Sequence, residues 1–444
     1  MLVTVASALV VATCSAGRDR APAAAPSSPP APSPLDALVE NAKASAASAP
    51  SSQAPPLATE IADAPTASPA PSPSAPAARV PGRELDRFYA ALRGLEQHTR
   101  KEHVRVMWLG DSHGAADLWS GPLREALQAR FGAGGPGFVH LGYKSTRHEQ
   151  IKQEIKGKWV TSPRGPSTSV PTGDGVFGLS GVLLAGSADG PRASITVTAK
   201  NLPSALTWDL CWKPTAAQDE LTVSLTGQPD RTLKADPAGA LGALRHVVMT
   251  SAGPSPTLRA LPLGGQPKLC GAVVETDPRT QPGVVLDNLG INGARLTTPL
   301  AWDEASWVAE LGRRPPTLVI LEYGTNESGD FVIDPRRYLD HLQRLLARVR
   351  RASPACDCLV LAPTDRADTQ DKSPRVRDAL RDAAKASGCM FWDTYAVMGG
   401  KGSILAWRSD HPPRAAADGV HLHPRGYREL GDKLTADVLA GYRP

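Results

Sequence analysis

From Arg83 onward, apolar side chains recur at helical spacing: Leu85, Phe88, Tyr89, Leu92 and Leu95 share one face of a helix predicted over residues 84–101. An almost wholly apolar run at 104–109 reads as a buried strand, and 117–131 returns to the helical period. The same alternation resumes after residue 281. Strands are predicted over 284–289, 317–323, 358–362 and 389–393. Helices are predicted over most of 294–311, over 335–351 with Tyr338, Leu342, Leu345 and Val349 on one face, over 373–387, and from Pro424 to about Leu439. Five short buried strands separated by helices predict a parallel five-stranded sheet with helices on both sides, a three-layer α/β fold.

Between about residues 148 and 281 the pattern changes. Helical spacing vanishes, and short β-type runs appear at 181–185, 193–198, 205–212, 221–225, 245–249 and 269–275, parted by Gly, Pro and Asp. This predicts a β-sandwich inserted after the first strand–helix unit, so that 83–147 and 282–444 form one domain around 148–281. Trp159, Trp208 and Trp212 of the insert are read as core, with contact to a sugar as the alternative. Upstream, residues 15–82 are dominated by Ala, Pro and Ser. They lack the large apolar side chains that offset chain entropy, so a disordered linker is expected, with at most a short helical patch over 35–46.

Charge and cysteine content narrow the picture. Lys and Arg number 49 against 44 Asp and Glu, a net +5. No long basic block stands out, which argues against a nucleic-acid partner while leaving approach to an anionic polymer open. Residues 2–13 are apolar but too short to cross a bilayer as a helix, which fits the core of an export signal. The run ends in Val11-Ala12-Thr13-Cys14, similar to a lipobox. Segment 1–14 is therefore expected to direct export to the periplasm or cell envelope, either as a plain signal or with Cys14 lipidated and holding the protein at a membrane. Export permits disulfides. Cys211 and Cys270 lie in one β-rich region and are candidates to pair, and either Cys356 or Cys358 is a candidate partner for Cys389. Cys356-Asp357-Cys358 has no second cysteine pair at zinc-site spacing, and neither a metal nor an organic cofactor is expected.

The candidate chemistry sits where strands end. Gly110-Asp111-Ser112-His113 directly follows the first strand, and open α/β sheets bind ligands beyond the carboxyl ends of their strands. A serine hydroxyl is a poor nucleophile until a base takes its proton. Asp418-Gly419-Val420-His421 offers that base on a tight loop, with a carboxylate three residues away to orient the imidazole. His423 could form a His-x-His metal pair with His421, or cap and pack locally; the local role is expected. Two further loops offer donors for a developing oxyanion. Gly293, after the second strand, can bring its backbone N–H close to a substrate; Asn326, after the third, can offer its amide; the Ser112 N–H would be the third donor. Each such bond contributes on the order of 3 kcal/mol to the transition state. Gly132-Ala133-Gly134-Gly135-Pro136-Gly137 matches G-x-G-x-x-G but follows a helix and contains Pro136. It is read as a flexible loop bordering the active site and not as a dinucleotide site.

The ordered set Ser112, Gly293, Asn326 and His421 resembles the four blocks of the SGNH (GDSL) hydrolases, from about Val104 to Tyr442. Glu327 departs from the Asp that many members carry after the Asn, a change expected to leave the oxyanion role untouched. In finer texture the chain is similar to the peptidoglycan O-acetylesterases. The shared features are the Gly-Asp-Ser-His block, an early inserted domain like a carbohydrate-binding module, and Tyr323-Gly324-Thr325-Asn326-Glu327. The resemblance implies a flavodoxin-like SGNH fold and a Ser112–His421–Asp418 triad that removes acetyl groups from an acetylated glycan polymer. An O-acetyltransferase using the same triad, or an envelope glycan-binding protein on a hydrolase scaffold, are the alternatives.

Overall fold

The computed structural model describes residues 83–143, 146–186, 190–203, 205–236, 239–369 and 371–444. The expected export segment, linker and 35–46 patch lie outside the described residues. Five strands form one parallel sheet: β1 (Val104–Gly110), β2 (Val284–Asn288), β3 (Leu318–Glu322), β4 (Asp357–Leu361) and β5 (Met390–Trp392). Their spatial order, β2-β1-β3-β4-β5, is that of flavodoxin-like sheets. The longer helices are α1 (Asp86–Glu96), α2 (Ser120–Phe131), α3 (Glu304–Arg313), α4 (Pro335–Ala352), α5 (Ser373–Ala386) and α6 (Pro424–Ala440).

Alternation along each strand divides the core into two layers. Val106, Trp108, Leu318 and Ile320 join the cluster of α1, α2 and α6, whereas Met107, Leu109, Val319 and Leu321 join that of α3, α4 and α5. Local signals set the helix ends. Asp334 caps α4 by accepting from Arg336 N, Pro335 occupies the first turn, and Arg350 and Arg351 lie in the last, where the helix dipole favours cations. The expected 294–311 helix is shorter. Residues Thr298–Ala301 form a 3-10 turn, Trp302 is extended, and α3 starts only after the Asp303 cap.

Between Gly137 and Glu275 the described chain builds a six-stranded and a five-stranded sheet of antiparallel strands. Ile195, Val223 and Leu258 of one meet Trp208, Leu210 and Val274 of the other in a shared core. Trp208 and Trp212 are therefore buried, and Trp159 is half-buried. The outer face of the first sheet rests on the α/β layers, where Phe138, Leu183, Cys211 and Val273 share a cluster with Trp302, Trp307 and Leu311. Strands at Ile151–Lys156, Arg231–Lys234 and Thr257–Gly264 go beyond the sequence expectation. The first two are charged and largely solvent-facing, and the third carries Arg259 and Pro262, so none shows a clean apolar run.

Disulfides join Cys211 to Cys270 and Cys358 to Cys389. Cys356 keeps its thiol, buried with Sγ 3.2 Å from the Asp357 carbonyl oxygen. The Gly132–Gly137 loop is not at the active face. Gly134 N donates to the carbonyl of Val284, at the entry to β2, and the Gln128 amide donates to the Gly135 carbonyl, which fixes the loop at the opposite end of the sheet.

An ionic clamp crosses the seam between the antiparallel sheets and the α/β layers. His246 lies 3.0 Å from both Asp209 and Glu310, and Arg313 donates to Asp209 at 2.6 Å. Burial alone would lower the His246 pKa, but the hydrogen bonds and charges of Asp209 and Glu310 raise it to about 9. A raised histidine stabilises the fold fully below its unfolded value, about 6.5, and that contribution is lost as pH rises through the folded value. Wild-type Tm should therefore fall between pH 6.5 and 9 by more than that of His246→Gln. Melting curves across that range with the same slope for both proteins would contradict the clamp.

Candidate active site

The Ser112 turn is assembled from β1 and the end of β3. Ser112 opens a short helical turn, Ser112–Ala115, straight after β1, and Asp111 caps it by accepting from His113 N at 2.9 Å. Behind it stands Glu322, whose Oε2 accepts from Asp111 N and Gly114 N, both at 3.1 Å. Only glycines admit that carboxyl group: a Cβ on Gly110 or Gly114 would lie 2.3 or 3.0 Å from Glu322 Oε2. Burial raises the Glu322 pKa well above its ordinary value, and the neighbouring Asp111 charge adds to this. Burial also raises Asp111, to about 6. The hydrogen bond between the two carboxyls favours the proton on Glu322 and the charge on Asp111.

A substitution pair tests this support. Glu322→Ala leaves two N–H groups of the Ser112 turn without their acceptor and should lower kcat on a small acetyl ester by about 100-fold, the scale of an ångström-size misplacement. Glu322→Gln keeps an uncharged acceptor and should stay within about fivefold of wild type, since a neutral amide stands in for the protonated acid. Equal rates for wild type and Glu322→Ala, in folded proteins, would remove Glu322 from the site.

Ser112 Oγ lies 2.8 Å from His421 Nε2, and His421 Nδ1 lies 2.7 Å from Asp418 Oδ2. The other Asp418 oxygen accepts from Val420 N and His421 N at 2.9 and 3.0 Å. Burial would raise the Asp418 pKa, but its hydrogen bonds to the His421 ring and to this backbone hold it well below the usual carboxylate range. An ionised Asp418 draws the ring proton to Nδ1, so Nε2 is the lone-pair nitrogen facing the serine. Gly419 makes the tight loop with φ +71° and lies against Ala367, whose Cβ would be 2.7 Å from an added side chain. His423 immediately precedes α6 as its N-cap, but caps it only through its backbone carbonyl, which accepts from Gly426 N and Tyr427 N.

The sequence reading gave His113 no role. Its ring lies 5.4 Å from that of His421 and is fixed by Tyr427 Oη at 2.9 Å and Thr364 Oγ1 at 3.1 Å. Burial, with the neighbouring His421, pushes its pKa well below the ordinary value. It forms a neutral wall against the His421 ring.

Gly293 adopts φ +78°, a backbone conformation that disfavours any side chain. Neither its N–H nor that of Ser112 meets a backbone acceptor among the described residues. The Asn326 amide donates one hydrogen to the Ala294 carbonyl at 2.9 Å and has Asp111 Oδ2 at the long distance of 3.4 Å on its other side. Around it the loop is pinned: Arg295 donates to the Asn326 carbonyl at 3.0 Å and to Asp330 at 2.7 Å, and Arg366 donates to the Thr325 carbonyl at 2.7 Å. Glu327 also has a structural role, for its carboxyl accepts from Leu296 N at 2.7 Å and Gly324 N at 3.0 Å. It staples the Gly293 loop to the Asn326 loop. Burial raises its pKa to about 7, with Arg295 opposing.

A separate cavity of about 360 Å³ lies at the far end of the short helix, lined by Ala115, Phe138, His140, Arg147, Gln153 and Asn288 among others, and does not include the triad. Cys211, His246 and Glu310 bring three metal-capable atoms within 4.8 Å of one another. There the Cys211 sulfur is bonded to Cys270, so the set lacks a thiolate to offer.

Residues 251–429 match the model of the GDSL-like Lipase/Acylhydrolase family. That stretch contains Gly293, Asn326, Asp418 and His421, while Ser112 precedes it beyond the antiparallel strands. A GDSL lipase of Mycobacterium tuberculosis is 29% identical over 123 residues, 27% of this chain and 50% of the relative. The match thus spans about half the length of that curated relative. Among solved structures, a peptidoglycan O-acetylesterase is similar at 25% identity with a TM-score of 0.65, over 80% of this chain and 95% of the other.

Proposed function

We propose, for a chain whose residues 251–429 match the GDSL-like lipase/acylhydrolase family, a serine esterase that removes O-acetyl groups from a cell-envelope glycan, peptidoglycan before others. The observation that carries the reading is the unbroken relay from Ser112 Oγ to His421 Nε2 at 2.8 Å and from His421 Nδ1 to Asp418 at 2.7 Å. Ser112 attacks the acetyl carbonyl as His421 takes its proton, and Asp418 stabilises the resulting imidazolium. The carbonyl oxygen becomes an oxyanion held by the N–H groups of Ser112 and Gly293 and by the Asn326 amide. His421 then gives the proton to the departing sugar oxygen, leaving an acetyl-serine. Water, deprotonated by the same imidazole, attacks that ester and releases acetate. The Asn326 amide hydrogen on the Asp111 side, where the contact is a long 3.4 Å, is the one offered to the oxyanion, while the Ala294 carbonyl keeps the other.

Likeness to a peptidoglycan O-acetylesterase over 95% of that chain supports the substrate class. Two disulfides and the apolar run at 2–13 support an exported enzyme, with Cys14 as its proposed lipid attachment. The test is acetate release from O-acetylated peptidoglycan, beside acetylated xylan, by wild type and Ser112→Ala. Release from peptidoglycan that disappears in the variant is the expected result. Release from xylan alone would keep the esterase and discard the cell-wall substrate.

A further inference from the structure

The loop that carries Asn326 ends in a bare apolar tip. Phe331 is 97% exposed and Val332 67%, while the next residue, Ile333, is buried in the core. Phe331 and the adjoining Val332 together leave apolar surface in water, where a ligand with an apolar face would gain its transfer free energy. The tip is also held in place. Arg295 grips both the Asp330 carboxylate and the Asn326 carbonyl, so one guanidinium fixes the residue before Phe331 relative to the oxyanion donor. Lys372 donates to the Asp330 carbonyl at 2.6 Å, and Asp330 N donates to the Glu327 carbonyl at 2.9 Å. A second exposed apolar residue reaches this rim from the antiparallel part of the chain. Val170 is 66% exposed, and its neighbours Ser169 and Ser167 bond to Thr297 Oγ1 at 2.6 Å and Thr298 Oγ1 at 2.9 Å. Thr298 Oγ1 in turn accepts from Arg295 N at 3.0 Å. The loop that carries Phe331 and Val332 and the loop that carries Val170 are thus linked through Asp330, Arg295 and Thr298.

We infer that this rim is a subsite for a sugar ring of the glycan, with Phe331 as its stacking platform; the inference rests on the glycan reading above. An acetyl group seated at Ser112 leaves the rest of its polymer to run outward over the rim of the cleft. The apolar C–H face of a pyranose matches an exposed phenyl ring, while its hydroxyls remain in water. The guanidinium and ammonium groups of Arg295 and Lys372 are engaged with loop oxygens, so they stiffen the platform and need not bind the sugar themselves. A rigid platform loses little entropy when a ring settles on it. The subsite acts on leaving-group recognition and leaves the acyl chemistry alone.

The test compares full-length wild type, Phe331→Ala and Phe331→Trp on O-acetylated peptidoglycan and on p-nitrophenyl acetate, which is too small to reach the rim. Phe331→Ala should lower kcat/KM on the glycan about tenfold, chiefly through KM, the scale of losing an aromatic anchor. It should change p-nitrophenyl acetate turnover by less than about twofold, and Phe331→Trp should keep glycan turnover near wild type, because its larger face preserves stacking. Glycan turnover unchanged in Phe331→Ala, or equal losses on both substrates, overturns the subsite alone. Wild type that leaves every acetylated glycan intact overturns both the subsite and the substrate reading.

Discussion

A His421→Ala protein is expected to hydrolyse a small acetyl ester about 10⁴ to 10⁶ times more slowly than wild type, and adding Ser112→Ala should cost almost nothing further. The reason is that the two residues act as one unit. Without the imidazole 2.8 Å from its oxygen, Ser112 keeps its proton and is no longer a useful nucleophile. Without Ser112, His421 has nothing to activate. The oxyanion donors survive in both variants and supply the remaining rate, so the losses do not add. Steady-state kcat/KM for wild type, both single variants and the double variant checks this. Losses that multiply would mean the residues work independently and that the relay is not the catalytic device.

Arg124→Leu should destabilise the fold by about 3–5 kcal/mol, the cost of leaving a buried carboxylate without its counter-ion. Asp117 and Arg124 are both fully buried and meet in two contacts, at 2.9 and 2.5 Å. Burial would raise the Asp117 pKa, yet Arg124 holds it far below the usual range. Asp117 also accepts from Ser120 Oγ at 2.6 Å and from Glu149 N at 3.0 Å, so the same carboxylate joins the nucleophile loop to the start of the antiparallel region. A depressed carboxyl pKa stabilises the fold above the unfolded value and loses that contribution as pH falls. Removing both charges with Asp117→Asn/Arg124→Leu should recover part of the lost stability, because no uncompensated ion remains. Denaturant titrations at pH 7 decide the matter. A single variant within 1 kcal/mol of wild type would show that water or a rearranged neighbour satisfies Asp117.

The parallel sheet was readable because its strands are buried on both faces. Val106, Trp108, Ile320 and Val360 have no solvent side to break their runs with polar residues. That Ser112, His421 and Asp418 meet, and that the Gly293 and Asn326 loops lie beside one another, was suggested for a different reason: each lies in a short local motif. Asp117 shows where that reading stops. It was expected to begin a helix, but with φ +58° it stands outside α2 as the hub of a buried ionic network. No local pattern announces a partner seven residues on whose charge matters only after burial. Glu322 and His113 were missed likewise. Glu322 looks like the polar end of a strand, and its function depends on two glycines from another segment converging on its carboxyl group. Glu327, for which the sequence suggested no structural role, links two loops that are 31 residues apart in sequence. The edge strands of the antiparallel sheets were obscured by their charged residues, which solvent tolerates on that side.

The most direct measurement is the site of covalent capture. Wild-type protein treated with a fluorophosphonate, which traps an activated serine as a stable ester, should gain one adduct mass, and peptide sequencing by mass spectrometry should locate it on Ser112 as ester hydrolysis stops. His421→Ala should label far more slowly, because its serine is not activated. Full loss of activity with the label on another residue, or continued hydrolysis by protein fully labelled at Ser112, would contradict the account.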